Sequence, residues 1–186
     1  MGTNMKSKEE RLMELFFENP TKEWHFEEIL KEAKIVRSKA DRWLKKFIKD
    51  KLIKRVKVKG EMPYYISDYE SAAYKNKKKL FALNKLHQIG LLNHLLDLKN
   101  AKTVILFGSF MRSDWYKNSD LDVFIYGNPE GLKIAEYESK LHREIQLFIC
   151  QNKKDLNKFG TGLIRNIIKG NIIKGDIDFL EVNVNA

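Results

Sequence analysis

The stretch LFGSFMRSDWYKNSDLDVF, residues 106–124, decides the fold of the second half of the chain. It contains the ends of two apolar runs. KTVILFGSF (102–110) reads as a short, fully apolar strand that stops at Gly108-Ser109. SDLDVFIYG (119–127) reads as another strand, which begins with two aspartates. Side chains alternate along a strand, so Asp120 and Asp122 are expected on one face, a few ångströms apart. Two carboxylates so placed repel each other unless a cation sits between them. An all-oxygen ligand set selects Mg²⁺ or Mn²⁺ over zinc. The intervening FMRSDWYKN can form a short helix starting just after Gly-Ser, whose free backbone N–H groups suit a phosphate. Ser109 adds a hydroxyl. A phosphate cradle beside a divalent-metal site is the equipment for phosphoryl or nucleotidyl transfer.

The spacing carries a resemblance. Gly108-Ser109, Arg112 and Ser119-Asp120-Leu121-Asp122 resemble the signature of the DNA polymerase beta-like nucleotidyltransferase superfamily, in particular its small prokaryotic minimal nucleotidyltransferase (MNT) branch. The family pattern is Gly-Ser-x-x-Arg-Gly, five residues, then Ser-Asp-x-Asp. One departure is Ser113, where the family usually has glycine. The resemblance covers roughly residues 80–186. It implies a small mixed sheet flanked by helices, with a nucleoside triphosphate across the Gly-Ser turn. Gly108, Ser109, Arg112 and Ser119 would bind nucleotide, and Asp120 and Asp122 would hold Mg²⁺ or Mn²⁺, with ATP the expected triphosphate. It also implies a third carboxylate on a later strand, here REIQLFICQ (143–151). The matching position is Gln146, which cannot act as a general base. Glu144, two residues earlier and on the same strand face, is the candidate catalytic substitute. GTGLIRNIIKGNIIKGD (160–176) reads as a helix and a short closing strand. Several small members resembling this chain are antitoxins that adenylylate a partner toxin, commonly a HEPN-type ribonuclease. A protein acceptor is therefore the leading expectation.

Upstream, residues 5–67 read as three short helices followed by a hairpin. KSKEERLMELFFENP has Leu12, Leu15 and Phe16 at helical spacing and stops at Asn19-Pro20. TKEWHFEEILKEAKI is expected as a second helix with Phe26, Ile29, Leu30 and Ala33 inward. VRSKADRWLKKFIKDKLI gives a third, with Ala40, Trp43, Leu44, Phe47 and Ile48 as its buried stripe. IKRVKVKGEMPYYIS alternates, turns at Gly60 and alternates again. That order is the order of a winged helix-turn-helix, in which the third helix enters the major groove and the wing touches the backbone.

The charge supports a polyanionic partner. The 186 residues hold 35 Lys+Arg against 25 Asp+Glu, a net of +10. Residues 1–100 carry 23 and 14 of these, so +9 of the excess lies in the first part. Between 37 and 59, eleven basic residues face only Asp41 and Asp50. Arg37, Lys39, Arg42, Lys45, Lys46 and Lys57 are the candidate contacts to duplex DNA. The lysines suit phosphates, and Arg37 and Arg42 suit base edges.

Between the two parts, residues 68–100 form a connector. Ser67 with Glu70 is a capping-box spacing that places a helix start near Asp68. Leu80, Leu83, Leu86, Leu91, Leu95 and Leu98 form a stripe close to helical period, in one long helix or two joined near Gly90. A homodimer is a natural expectation, since helix-turn-helix readers usually pair. His87 and His94 lie seven residues apart, too far to share a metal on a helix.

Composition excludes other classes. Hydrophobic residues make up 43%, enough for a core. The single Cys150 excludes an intramolecular disulfide framework and a cysteine zinc site, and fits a reducing compartment. No apolar run reaches the roughly 20 residues that span a bilayer, and the first twenty residues lack the apolar core of a signal peptide. The expectation is a cytoplasmic, non-membrane α+β protein. Its parts are an N-terminal winged helix (5–67), a connector helix region (68–100) and a small mixed-sheet nucleotidyltransferase fold (101–186). The rival reading is a DNA-binding transcriptional regulator that keeps a catalytically impaired transferase fold for nucleotide sensing or protein docking.

Overall fold

The computed structural model describes residues 7–180. Met5 and Lys6 of the first expected domain, and residues 181–186 of the last, lie outside them. The described chain forms two compact units. The first runs to Phe81 and takes in Trp115–Lys117. The second comprises Ala82–Asp114 and the residues from Asn118 onward.

In the first unit, α1 (Lys8–Glu18) opens with a capping box, Ser7 and Glu10 each bonding the other's backbone N–H. Its apolar spacing buries Leu12, Met13, Phe16 and Phe17. The second helix, α2 (Phe26–Ala33), starts later than its periodicity suggests. Trp24–His25 is extended and forms β1, which pairs antiparallel with Tyr64 and Tyr65. Lys34 ends α2 in a left-handed turn. Helix α3 (Arg37–Lys49) buries Ala40, Trp43, Leu44 and Phe47. Ile48, expected in that stripe, is 37% exposed, because it falls at the margin of the narrow buried face. Strands β2 (Ile53–Val56) and β3 (Tyr64–Ser67) pair antiparallel, giving a three-stranded sheet in the order β1-β3-β2. The loop between β2 and β3 contains Gly60 at φ +86°.

Helix α4 (Ala72–Gln88) begins four residues beyond the expected start. Ser67 does not cap it: the Ser67 hydroxyl donates to the Phe16 carbonyl (2.9 Å). The cap is Ser71, whose Oγ accepts from the Tyr74 N–H (3.1 Å). Tyr74 Oη also donates to the Phe16 carbonyl (2.9 Å). Phe17 packs edge-on against Tyr74 and at a tilt against Trp115. Lys78 is buried to 1% exposure, its Nζ donating to the Trp115 carbonyl (2.5 Å) and lying 4.4 Å from the Trp115 ring centre.

In the second unit, Gly90 (φ +82°) separates α4 from α5 (Leu91–Asp97), so the connector is two helices. Leu86, Leu91, Leu95 and Leu98 of the stripe are buried, whereas Leu80, which belongs to the first unit, is 63% exposed. The sheet runs β6-β5-β4-β7, from β4 (Ala101–Phe107), β5 (Leu121–Gly127), β6 (Ile145–Cys150) and β7 (Asn171–Lys174). β4 is antiparallel to both β5 and β7, and β5 is parallel to β6, so the sheet is mixed. Five successive residues of β4, Thr103 to Phe107, are buried, the mark of a strand covered on both faces. Helices α6 (Gly108–Arg112), α7 (Ile134–Leu141) and α8 (Thr161–Ile168) complete the unit. One core cluster gathers Ile105, Phe107, Phe124, Cys150, Ile167 and Phe179, with Phe124 and Phe179 stacked 5.6 Å apart. Gly170 sits where a Cβ would lie 2.6 Å from the Leu106 carbonyl oxygen, which lets β7 close onto β4.

Candidate active site

The site is built at one end of the central strand pair. β4 ends at Phe107, which pairs with Asp122 on β5. The chain then turns sharply at Gly108 (φ +74°) into the single-turn helix α6. A Cβ on Gly108 would lie 1.8 Å from Asp122 Oδ2. Only glycine lets the turn and the carboxylate approach this closely, in a conformation L side chains disfavour. Ser109 follows, half-buried, and its carbonyl accepts from the N–H of Ser113. Ser113 has φ +70°, which gives a physical reason for glycine being usual there.

The two aspartates meet as their spacing implies, with one difference. Asp122 lies in β5, but Asp120 stands one residue before the strand. Both are half-buried. Burial first, and then the Asp120 charge, push the Asp122 carboxyl above its ordinary range, and Arg112 pulls it partly back. Arg112 is exposed and paired with Asp114 (Nε–Oδ2 3.1 Å). Ser119 presents its carbonyl to Arg143 (2.8 Å).

The parallel register sets Gln146 beside Asp122, and Gln146 Nε2 donates to Asp120 Oδ2 (3.2 Å). The third corner of the site is therefore an amide. Glu144 is exposed and precedes β6 rather than lying in it; its carbonyl accepts from the Leu121 N–H (2.9 Å). Among the described residues no cluster of three or more His, Cys, Asp or Glu side chains gathers to hold a metal. Asp120 and Asp122 supply two carboxylates, and a Mg²⁺ held by them would complete its shell with water and phosphate oxygens. This fits the ion's habit of keeping few protein ligands.

Two features of the site were not legible in the sequence: the buried Arg143, and the amide bond to Asp120. A charged residue ahead of an apolar strand reads as surface, and the Gln146–Asp120 bond depends on pairing across 26 positions.

In the first unit the candidate DNA contacts are exposed. Three of the six are engaged in ion pairs: Arg37 with Glu27, Lys45 with Asp41 (2.7 Å) and Lys46 with Glu9 (2.7 Å). Arg37 also lies over the Phe26 ring, and Arg42 over Trp43. Lys39 is exposed on α3. Lys57 falls one residue past the end of β2, in the loop of the hairpin.

Residues 90–178 match the family model described as polymerase beta, nucleotidyltransferase. The match spans the Gly-Ser turn, both aspartates and β6, and supports the polymerase beta-like nucleotidyltransferase superfamily for this part of the chain. Comparison with curated proteins and with solved structures returns no match. No helix among the described residues is long and apolar enough to cross a membrane.

Proposed function

We propose that the second unit is a Mg²⁺-dependent nucleotidyltransferase and that the first is a winged helix that binds duplex DNA. The observation that carries the first statement is the packing of Asp122 against Gly108. It sets one carboxylate of the Asp120–Asp122 pair directly against the glycine-serine bend. Asp120 and Asp122 would hold the cation. Ser109 and the backbone after it would take the phosphates. In the reaction the acceptor oxygen forms a bond to the α-phosphorus, the bond from that phosphorus to the α–β bridging oxygen breaks, and pyrophosphate leaves. The acceptor proton passes to solvent or to a nearby base. Family resemblance favours a protein hydroxyl as acceptor and ATP as donor, with a HEPN-type toxin as the partner class. The three-helix and hairpin order, together with the basic α3, supports the winged-helix reading.

One observation favours a second reading. Gln146 occupies the third corner and donates to Asp120, so general-base assistance, typically worth 10²–10⁴-fold, is missing there. On this reading the unit binds metal–nucleotide and transfers slowly or not at all, serving a DNA-binding regulator as a nucleotide sensor. Incubation with α-labelled ATP, GTP, CTP and UTP, Mg²⁺ and cell extract separates the two. Label on an acceptor that disappears in Asp120→Asn/Asp122→Asn supports transfer. Mg²⁺-dependent ATP binding by calorimetry without label transfer supports the sensor. Equal affinity with and without Mg²⁺, in wild type and variant alike, defeats both.

A further inference from the structure

We propose that Arg143 is a positioning residue that fixes the metal-binding aspartates relative to the Gly-Ser turn; the functional part of this rests on the nucleotidyltransferase reading above. Arg143 stands at the corner between α7 and β6 and is 8% exposed. Its Nη1 donates to the Ser119 carbonyl at 2.8 Å. Its guanidinium carbon lies 5.4 Å from the centre of the Phe110 ring, itself 1% exposed. Phe110 directly follows Ser109, and Ser119 directly precedes Asp120. One rigid, permanently charged plane therefore touches both halves of the motif, which are separated by nine residues of sequence.

Asp120 is bracketed as a result. The carbonyl before it is held by Arg143. Its own carboxylate accepts from Gln146 (3.2 Å), and the N–H after it, on Leu121, donates to the Glu144 carbonyl (2.9 Å). Glu138 also helps to close the corner that carries Arg143. It accepts from the Arg143 N–H through its carbonyl, and from the Ile145 N–H through its carboxylate (2.9 Å). The guanidinium contacts to the Ser119 carbonyl and the Phe110 ring both fall on the motif, and its chemistry suits that task. It is planar, it stacks on an aromatic face, and its donors point in fixed directions. Burying a charge is costly unless its surroundings compensate it, so a buried arginine is an expensive way to fill space. Outer partners of metal-binding groups typically govern about 10–100-fold in affinity.

The test uses the full chain and two readouts. Hydrogen exchange is followed at residues 118–123 and, as an internal reference, at 103–106 of β4. ATP affinity is measured by calorimetry with and without Mg²⁺. In Arg143→Met, exchange at 118–123 should rise about tenfold or more while β4 stays protected. The gain in ATP affinity that Mg²⁺ confers should fall about tenfold or more. Arg143→Lys, which keeps a donor for the Ser119 carbonyl, should restore most of both. Should Arg143→Met not fold, Arg143→Gln carries the same measurements. Exchange that is unchanged at 118–123, or that rises equally in β4, overturns the proposal. A wild type whose ATP affinity ignores Mg²⁺ defeats the nucleotidyltransferase reading instead, and exchange alone then decides the role of Arg143.

Discussion

Asp122 sits half-buried beside Asp120, with a hydrogen-bond donor from Gln146 on one carboxylate and a glycine turn pressed against the other. Like charges this close, partly withdrawn from water, favour loss of one charge or capture of a cation. Asp122→Asn should therefore raise the melting temperature of the metal-free protein at pH 7 by a few degrees while removing Mg²⁺-dependent nucleotide binding. A melting temperature that falls would show that the carboxylate is held by favourable contacts. Gln146→Asp should do the opposite. It replaces a donor to Asp120 with a third like charge, so the metal-free protein loses stability and Mg²⁺ restores it. Where transfer is slow for want of a third carboxylate, the same change should raise its rate at least about tenfold. A robust wild-type rate, unchanged in Gln146→Asp and Glu144→Gln, would place the missing group elsewhere.

At the scale of elements, the site depends on how tightly β4 hands over to α6. Gly108→Ala must relieve a 1.8 Å clash with Asp122 Oδ2 and adopt φ near +74° with a side chain. The left-handed conformation costs roughly 1–2 kcal/mol. The clash falls on the tip of a side chain, so the fold can yield, but only by moving Asp122. Binding of Mg²⁺–ATP should accordingly suffer more than stability does, which calorimetry and thermal melts on one preparation would show. This arrangement was legible because the motif is local: the glycine and the alternating Asp-x-Asp lie within fifteen residues, 108 to 122, directly after an apolar run. The helices of the first unit were legible for the same reason. Elements decided by distant partners were not. Trp24–His25 joins a helical pattern in sequence, yet two tyrosines some forty positions away draw it into a sheet. Ser67 has the spacing of a cap, but its hydroxyl is taken by Phe16, fifty-one positions earlier, and Ser71 caps α4 in its place. Leu80 fits the leucine period and is nonetheless exposed, since a period marks a face without saying where its cover ends.

Across the whole molecule, charge is the property that local structure does not determine. The first hundred residues carry nearly all of the net +10, and eleven basic groups crowd residues 37–59. Lys45 and Lys46 are exposed on α3, but each is engaged with a carboxylate, Asp41 and Glu9. Exposed pairs of this kind contribute about 0–1 kcal/mol, little enough for a phosphate to displace the carboxylate. Two consequences can be measured with any duplex of adequate length. Lys45→Ala/Lys46→Ala should weaken binding to unrelated sequences alike. It should also make the slope of log affinity against log salt shallower by about 1.8, at roughly 0.9 per lost phosphate contact. Glu9→Gln/Asp41→Asn should have the opposite effect, because it removes two negative charges from the same face and frees both lysines without a competing partner. Affinity should rise at low salt, and the gain should shrink as salt screens exposed charges. If the acidic pair can be neutralised without any gain, or the two lysines removed without change of slope, α3 does not face the phosphates, and the positive charge of the first hundred residues serves some other anion.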